Sequence, residues 1–327
     1  MEKIWKLPEG GMAYGMIPGV EKLVSRIFLG TASAPFATGE DCGKLLDDIT
    51  LMGVNAIDTA RVYGQSEEAI GKWLEKGGNR DRVVILSKGG HPNALGMKRI
   101  NEKAIRADLE KSLEKLRTDH IDIYLLHRDD PKVPAGEIVE ILNALKKEGK
   151  ICAFGGSNWT WERLKEANEY ARAHDLTEMS VSSPHFGLAR QVNDPWGGGV
   201  TLNGDQEAQK WYENNQMPVI AHSSLGRGLM SGKLKSTEQE KAAQVLDSFA
   251  MKGFAAEENF ERLGRCEEIA EAKGASVAQV AMSWVFHQKM NVYAVVSTKT
   301  PARMKQNIDA ISLPLTEAEC RYLNLEV

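Results

Sequence analysis

The chain has 327 residues, of which 42% are hydrophobic and 26% are charged, and its formal net charge is -4. This composition excludes a disordered chain, which has fewer apolar residues and a larger net charge. The charges are interspersed and the pI is near 6.0, which excludes a strongly basic nucleic-acid-binding surface. No apolar run is long enough to span a bilayer, and residues 1–15 lack the apolar segment of a secretory signal.

The cysteines indicate a reducing environment. Cys42, Cys152, Cys266 and Cys320 lie far apart in the chain and form no C-x-x-C pair. Four cysteines in a chain of this length do not make a disulfide framework. We therefore expect buried or neutral thiols and a cytoplasmic location.

Short apolar runs bounded by polar residues predict β-strands, since strands that are covered on both faces show continuous hydrophobicity. In chain order the predicted strands are residues 24–30, 55–58, 83–88, 121–127, 151–157, 179–182, 219–223 and 292–297. The segments between them have the period of amphipathic helices. Two sets of apolar residues recur at spacings of three and four, namely Ile105, Leu109, Leu113 and Leu116, and Ile138, Ile141, Leu142 and Leu145.

Helix start signals support this alternation. Ser276 with Gln279 and Thr316 with Glu319 have the spacing of capping boxes. Thr300-Pro301 places a capping residue before a proline at the first helical position.

Eight strand–helix units in one chain predict an α/β fold, a single-domain (β/α)8 TIM barrel over residues 1–327. A doubly wound sheet is the main alternative, but no G-x-G-x-x-G follows the first predicted strand. The long stretch 225–274 predicts a loop and an additional helix on the active face. No Pro/Gly/Ser-rich linker marks a second domain, and no feature indicates an oligomeric state.

Three successive predicted strands end in ionisable residues, Asp58, Lys88 and His127, and Tyr63 follows Asp58 by five positions. Taken singly, each has a structural explanation as a turn, solvated or packing residue. The carboxyl ends of barrel strands meet at one end of the barrel, where active sites lie. Ionisable groups gathered there are costly unless they pair, so the ordered set indicates a functional site.

The chemistry of this set is coherent. A phenol with a pKa of about 10 is a poor acid near neutrality, and a nearby ammonium is expected to lower that pKa. A carboxylate fixes the ammonium, and a neutral imidazole can orient a carbonyl oxygen. Tyr63, Lys88, Asp58 and His127 therefore predict protonation of a carbonyl oxygen while hydride arrives at carbon.

At these residues the sequence resembles the aldo-keto reductase superfamily over nearly the whole chain. The segments that carry the resemblance are NAIDTARVYG at 55–64, LSK at 86–88, YLLH at 124–127, GGSN at 155–158, LGRGL at 225–229 and TPAR at 300–303, with Asn307. The resemblance implies NADP(H)-dependent reduction of an aldehyde or ketone in a TIM barrel. It assigns Tyr63 as general acid, Lys88 as its partner, Asp58 as the partner of Lys88, and His127 as the carbonyl-orienting group.

The resemblance also implies cofactor contacts. Ser157 and Asn158 match the pair that holds the nicotinamide carboxamide; the other matching positions are Ser223, Leu225, Gly226, Ser297, Thr298, Lys299, Arg303 and Asn307, and Ser183 and His222 occupy two further cofactor-contact positions. Lys299 and Arg303 favour a 2′-phosphate and hence NADP(H). The family's usual Gln is replaced by Ser183, its usual nicotinamide-stacking Tyr by His222, and a common proline by Ser224.

Loop residues are expected to select a small-molecule carbonyl substrate. The candidates are Phe36, His91, Arg128, Trp159 and Trp196, which lie shortly after strands or in a long loop.

Other functions stay open at this point. A metal hydrolase built on Asp58, His127, Asp129 and Asp130 lacks H-x-H or HExxH spacing and leaves Lys88 unexplained, so no metal is predicted. The His127-Arg-Asp129 run resembles a kinase catalytic loop but has no D-F-G or glycine-rich loop beside it. An NADP(H)-binding regulatory or sensor protein, and a redox-neutral sugar-modifying enzyme with retained cofactor, are the stronger alternatives.

Overall fold

The computed structural model describes residues 11–327. Residues 1–10 lie outside the described residues. They make up most of the segment 1–15, for which the sequence predicts no secretory signal. The described chain begins with a hairpin of two antiparallel strands, β1 (Tyr14–Gly15) and β2 (Val24–Ser25).

Eight strands form a closed barrel in the order β10-β3-β4-β5-β6-β7-β8-β9, which confirms the predicted (β/α)8 fold class. They are β3 (Ile27–Gly30), β4 (Ala56–Asp58), β5 (Val84–Gly89), β6 (Ile121–Leu126), β7 (Ile151–Ser157), β8 (Val181–Ser183), β9 (Val219–Ala221) and β10 (Val292–Val296). All their residues are buried except the half-buried Cys152 and Val295. Burial on both faces explains why the strands have no polar–apolar alternation.

The helices of the described chain follow the predicted alternation. They are α1 (Gly43–Leu51), α2 (Ser66–Gly77), α3 (Glu102–Leu116), α4 (Ala135–Lys147), α5 (Trp161–Ala173), α6 (Gln206–Asn215), α7 (Ala242–Val245), α8 (Ser248–Phe254), α9 (Glu257–Lys273), α10 (Val277–Phe286), α11 (Pro301–Asp309) and α12 (Glu317–Leu323). The capping boxes at Ser276 and Thr316 are present, and α11 begins at Pro301. None of the helices over residues 11–327 is both long and apolar enough for a membrane span.

The prediction of one strand over residues 24–30 is wrong. The run is split at the buried Arg26 into β2, which pairs with β1, and β3, which enters the barrel. The hairpin turn is Pro18-Gly19, where Val20 N donates to Ile17 O over 2.9 Å and Gly19 has a φ of 91°. A Pro-Gly pair is a turn signal, so the hairpin was accessible from the sequence.

The stretch 225–274 contains more regular structure than one helix. Short 3-10 turns precede α7 and α8, and α9 follows. Asp247 caps α8 by accepting a hydrogen bond from Ala250 N. The predicted additional helix corresponds to α9, and the two shorter helices were missed because four to seven residues give little periodic signal.

The described chain divides into two compact units. The first comprises Tyr14–Ser183 and Ser297–Pro301 and carries β1 to β8; the second comprises residues 11–13, Pro184–Val296 and Ala302–Val327 and carries β9 and β10. In the first unit, α3 and α4 bury the predicted apolar stripes, including Leu109 and Leu142. In the second unit, α10 is almost wholly buried. A single domain over residues 1–327 stays a prediction.

Candidate active site

A buried ion pair lies at the ends of two neighbouring strands of the first unit. Asp58 is the last residue of β4, and Lys88 lies in the adjacent β5. The Lys88 Nζ donates to Asp58 Oδ1 over 2.5 Å and to Thr59 O over 3.0 Å. The two residues are only 5% and 3% exposed, so the pair is removed from water. Burial lowers the pKa of Lys88, but the Asp58 carboxylate and Tyr63 raise it by more, so Lys88 stays an ammonium ion.

Tyr63 lies beside this pair, in the loop between β4 and α2. The Lys88 Nζ is 5.1 Å from the centre of the Tyr63 ring. Gly64 makes the turn possible, because it has a φ of 57° and a Cβ there would lie 2.4 Å from Ala37 O. Tyr63 is half-buried, so its ring borders accessible space.

Lys88 lowers the pKa of Tyr63, as expected, but burial has the larger and opposite effect. Burial raises the pKa of the phenol, and Asp58 raises it further, whereas Lys88 and Arg128 lower it. The net pKa lies above its ordinary value because removing the phenolate from water outweighs the ammonium. Tyr63 is therefore protonated at neutral pH, which is the state that a proton donor needs.

His127 completes the predicted tetrad. It follows β6 directly, and its backbone N–H donates to Gly89 O over 2.8 Å, which continues the pairing of β5 with β6. Its ring meets the Tyr63 ring edge-on, with centroids 5.7 Å apart, and the His91 ring edge-on at 5.0 Å. The structure thus brings the four predicted groups together in one unit.

Three predicted cofactor residues also meet in the first unit. Ser157 ends β7 and Ser183 ends β8, and the Ser157 Oγ donates to Ser183 O over 3.1 Å. The Asn158 N–H donates to the same carbonyl over 3.1 Å, and the Asn158 Nδ2 donates to Ser157 Oγ over 3.0 Å. Asn158 has a φ of 58°, a conformation that Asn tolerates better than most residues.

The loop after β9 in the second unit has an unusual backbone conformation. Ser223 and Gly226 have left-handed φ values of 55° and 56°. Gly226 N donates to Ser223 O, but within the described chain the N–H groups of Ser224 and Leu225 have no hydrogen-bond acceptor. Backbone donors without an acceptor in such a loop suit a phosphate.

The remaining predicted cofactor residues lie around the start of α11. Ser297 and Lys299 are exposed after β10, whereas Thr298 is buried, and its Oγ1 donates to Thr300 O over 2.9 Å. In the second unit, Arg303 is exposed on α11 and Asn307 is buried one turn later.

The candidate substrate residues differ in accessibility. Phe36 and Trp159 are each 1% exposed, so neither presents a surface in this conformation. Trp159 packs over Gly156, where a Cβ would lie 2.3 Å from the indole. His91 and Arg128 are half-buried in the first unit, and Trp196 is half-buried in the second.

His185 is a site neighbour that the sequence reasoning missed. It is fully buried in the second unit, its Nδ1 lies 2.8 Å from Thr201 Oγ1, and its ring lies 5.9 Å from that of His222. The Trp196 ring also meets the His222 ring edge-on, with centroids 5.8 Å apart. The only available sequence signal was its place two residues after Ser183.

We expect His185 to make stability depend on pH. Burial lowers its pKa from 6.5 to about 3, so the unfolded chain binds more protons between these values and stability falls as pH falls from 6.5 towards 3. At pH 4.5 the loss attributable to this residue is about 3 kcal/mol. Urea unfolding at pH 7 and 4.5 should show a smaller acid loss for His185→Phe than for wild type. Equal losses in both proteins would contradict the assignment.

Known proteins resemble this chain along most of its length. The model of the Aldo/keto reductase family matches residues 26–324. The aldo-keto reductase str7 of Strobilurus tenacellus is 29% identical over 280 residues, 84% of this chain and 78% of that protein. The norsolorinic acid reductase stcV of Emericella nidulans is 27% identical, covering 86% of this chain and 70% of that protein.

Solved structures share the fold. The glycerol dehydrogenase from Gluconobacter oxydans has a TM-score of 0.74 at 24% identity, covering 95% of this chain and 94% of that one. A thermostable aldo-keto reductase in complex with the inhibitor epalrestat has a TM-score of 0.71 at 22% identity, covering 96% and 99%. Since the family model spans nearly all of the described residues, the chain belongs to the aldo/keto reductase family of oxidoreductases.

Proposed function

We propose that the protein reduces an aldehyde or ketone, with sugar-like carbonyl compounds among the candidates, to an alcohol by NADP(H)-dependent hydride transfer. The observation that carries this proposal is the buried Lys88–Asp58 pair with its Nζ 5.1 Å from the centre of the Tyr63 ring. A merely structural ion pair has no need of a half-buried phenol and an imidazole beside it. The set matches the needs of carbonyl protonation.

Each member of the tetrad has a defined role in the proposal. Tyr63 donates its proton to the carbonyl oxygen as hydride reaches carbon. Lys88 stabilises the phenolate that is left, and its charge is held by Asp58. His127 donates a hydrogen bond to the same oxygen and thereby orients the carbonyl carbon.

The residues of the chain fit a nicotinamide dinucleotide. NADP(H) supplies the hydride when it is bound. Asn158, Ser157 and Ser183 are proposed to hold the carboxamide, and the N–H groups of Ser224 and Leu225 after β9 to hold phosphate oxygens. Lys299 is exposed and suited to a 2′-phosphate. The remaining predicted contacts, at His222, Ser223, Leu225, Gly226, Ser297, Thr298, Arg303 and Asn307, and the cytoplasmic location, belong to the same proposal.

We expect His222→Tyr to tighten NADPH binding. The phenol ring offers more stacking area than the imidazole, and an aromatic pair of this kind is worth about 0.5–1.5 kcal/mol, or about 2- to 12-fold in Kd. Fluorescence titration of NADPH measures the change. His174→Tyr, at an exposed histidine after α5, is the matched control and should bind like wild type. Unchanged or weaker binding by His222→Tyr would contradict the stacking role.

The proposed function is tested by NADPH oxidation at 340 nm with a panel of aldehydes, ketones and dicarbonyls. We expect turnover of at least one carbonyl class, and a higher kcat/KM with NADPH than with NADH. NADPH binding without turnover of any carbonyl would instead favour a sensor or a redox-neutral enzyme that retains its cofactor.

A further inference from the structure

The loop that carries Tyr63 begins as a continuation of the strand pairing in the first unit. Beyond the end of β4, Thr59 N donates to Leu86 O over 2.8 Å, and Arg61 N donates to Lys88 O over 2.9 Å. These two hydrogen bonds extend the parallel pairing of β4 with β5 into the loop. The start of the loop is therefore attached to the backbone of Lys88 itself.

The loop ends at the first turn of α2, which is also attached to β5. Glu67, the second residue of α2, is only 2% exposed. Its Oε1 accepts a hydrogen bond of 2.7 Å from Ser87 Oγ, and its Oε2 accepts one of 3.3 Å from Arg61 Nη1. Ser87 directly precedes Lys88 in β5. The Glu67 carboxylate thus joins the end of the loop both to the strand of Lys88 and to the start of the loop.

Hydrogen bonds between these two attachments fix the position of Tyr63. Tyr63 N donates to Ala60 O, and Ser66 N donates to Tyr63 O, each over 3.0 Å. The buried Ser66 Oγ donates to Thr31 Oγ1 over 2.6 Å and lies 2.9 Å from Thr59 Oγ1. Because the turn is closed in this way, a displacement of the first turn of α2 also displaces Tyr63.

Glu67 acts from the opposite face of β5 to the reacting groups. Successive side chains of a strand point to opposite faces of the sheet, so Ser87 and Lys88 do so here. Lys88 contacts Asp58 and lies 5.1 Å from the centre of the Tyr63 ring, whereas Ser87 contacts Glu67 on α2. Glu67 can therefore affect Tyr63 only through the attachment of its loop.

We infer that Glu67 is a positioning residue, which sets the distance between the Tyr63 phenol and the Lys88 ammonium by tying the first turn of α2 to Ser87. This distance determines how strongly the ammonium stabilises the phenolate. Ser87 and Arg61 both donate to the side chain at position 67, so two acceptor oxygens are needed there, and a carboxylate supplies them. The inference rests on the proposed carbonyl reduction.

The test compares Glu67→Ala with Glu68→Ala, a matched control that removes the neighbouring carboxylate, which is paired with Lys115 and Lys72. We expect Glu67→Ala to lower kcat/KM by about 100-fold, the cost of misplacing a reacting group by about 1 Å. The Kd of NADPH should be unchanged. Glu67→Gln keeps an oxygen that can accept from Ser87 and should recover part of the loss. Glu68→Ala should stay within about twofold of wild type.

Two further measurements distinguish positioning from a loss of folded enzyme. In a Tyr63→Phe background, Glu67→Ala should cause no further fall in kcat/KM, because the phenol that it positions is already absent. Crystal structures should show the Lys88 Nζ farther than 5.1 Å from the centre of the Tyr63 ring in Glu67→Ala, and at the wild-type distance in Glu68→Ala. If Glu67→Ala does not fold, Ser87→Ala removes the same attachment from β5 and carries the same expectations.

The outcomes separate this inference from the proposed function. An equal loss of kcat/KM in the Tyr63→Phe background, or an unchanged distance between Lys88 and Tyr63 in folded Glu67→Ala, would overturn the role of Glu67 while leaving carbonyl reduction intact. If Tyr63→Phe has no measurable turnover, the crystallographic distance alone decides. No turnover of any panel carbonyl by wild type would overturn the proposed function and this inference with it.

Discussion

Tyr63→Phe is expected to reduce kcat/KM for carbonyl reduction by roughly 100- to 10,000-fold, the usual contribution of a positioned general acid. The change removes one oxygen and keeps the ring that packs 5.7 Å from His127. No other phenol is placed beside Lys88 among the described rings, so the proton has no equivalent replacement source. The rate of NADPH oxidation at 340 nm, with a carbonyl that wild type reduces, gives kcat/KM for both proteins.

A control separates the acid from a structural defect. Tyr170→Phe removes a phenol that donates to Glu140 on the exposed side of the first unit, and should leave turnover within twofold of wild type. NADPH should bind to Tyr63→Phe with unchanged affinity, because the lost proton is needed only when charge develops on the substrate oxygen. Near-normal turnover of Tyr63→Phe would refute its role as general acid.

Lys88→Met is expected to lower stability by about 3–5 kcal/mol and to abolish measurable turnover. The substitution leaves the Asp58 carboxylate buried without its cation, which is the costly half of a broken ion pair. It also removes the charge that stabilises the Tyr63 phenolate. Chemical unfolding gives the stability change, and NADPH oxidation gives the activity.

The double variant Asp58→Asn/Lys88→Met distinguishes the two effects. With both charges removed, no ion is left buried, so a large part of the lost stability should return. Turnover should stay at the level of Lys88→Met, since the phenolate still has no partner. A double variant that regained wild-type turnover would mean that the ion pair is structural only.

The proposed catalytic cluster was predictable because three of its four members lie at or next to the end of a strand. Asp58, Lys88 and His127 each follow an apolar run, and parallel strands in a barrel bring such positions together. Ser157 and Ser183, which the family resemblance singled out, also end neighbouring strands and are joined by a hydrogen bond. These contacts depend on the parallel pairing of neighbouring strands in the barrel.

Other features depend on packing that local patterns do not contain. The net rise in the pKa of Tyr63 comes from burial, whose extent is set by neighbours distant in sequence. Trp159 was expected to face the substrate, yet it lies over Gly156, where the missing side chain leaves room for the indole. The His91 ring contacts the His127 ring because the loop that carries His91 is held by the ion pair of Arg99 with Asp108. Arg99 and Asp108 are nine positions apart in the sequence.

The central claim is that hydride passes from NADPH to a substrate carbonyl at this site. The most direct measurement uses NADPH deuterated at the transferring carbon, in separate preparations labelled on each face, with an aldehyde from the panel. Mass spectrometry and NMR of the alcohol then locate the label. We predict deuterium on the carbinol carbon from one labelled face, and labelling that is roughly 100- to 10,000-fold slower with Tyr63→Phe. NADPH that stays bound while no product gains deuterium from either face would contradict it.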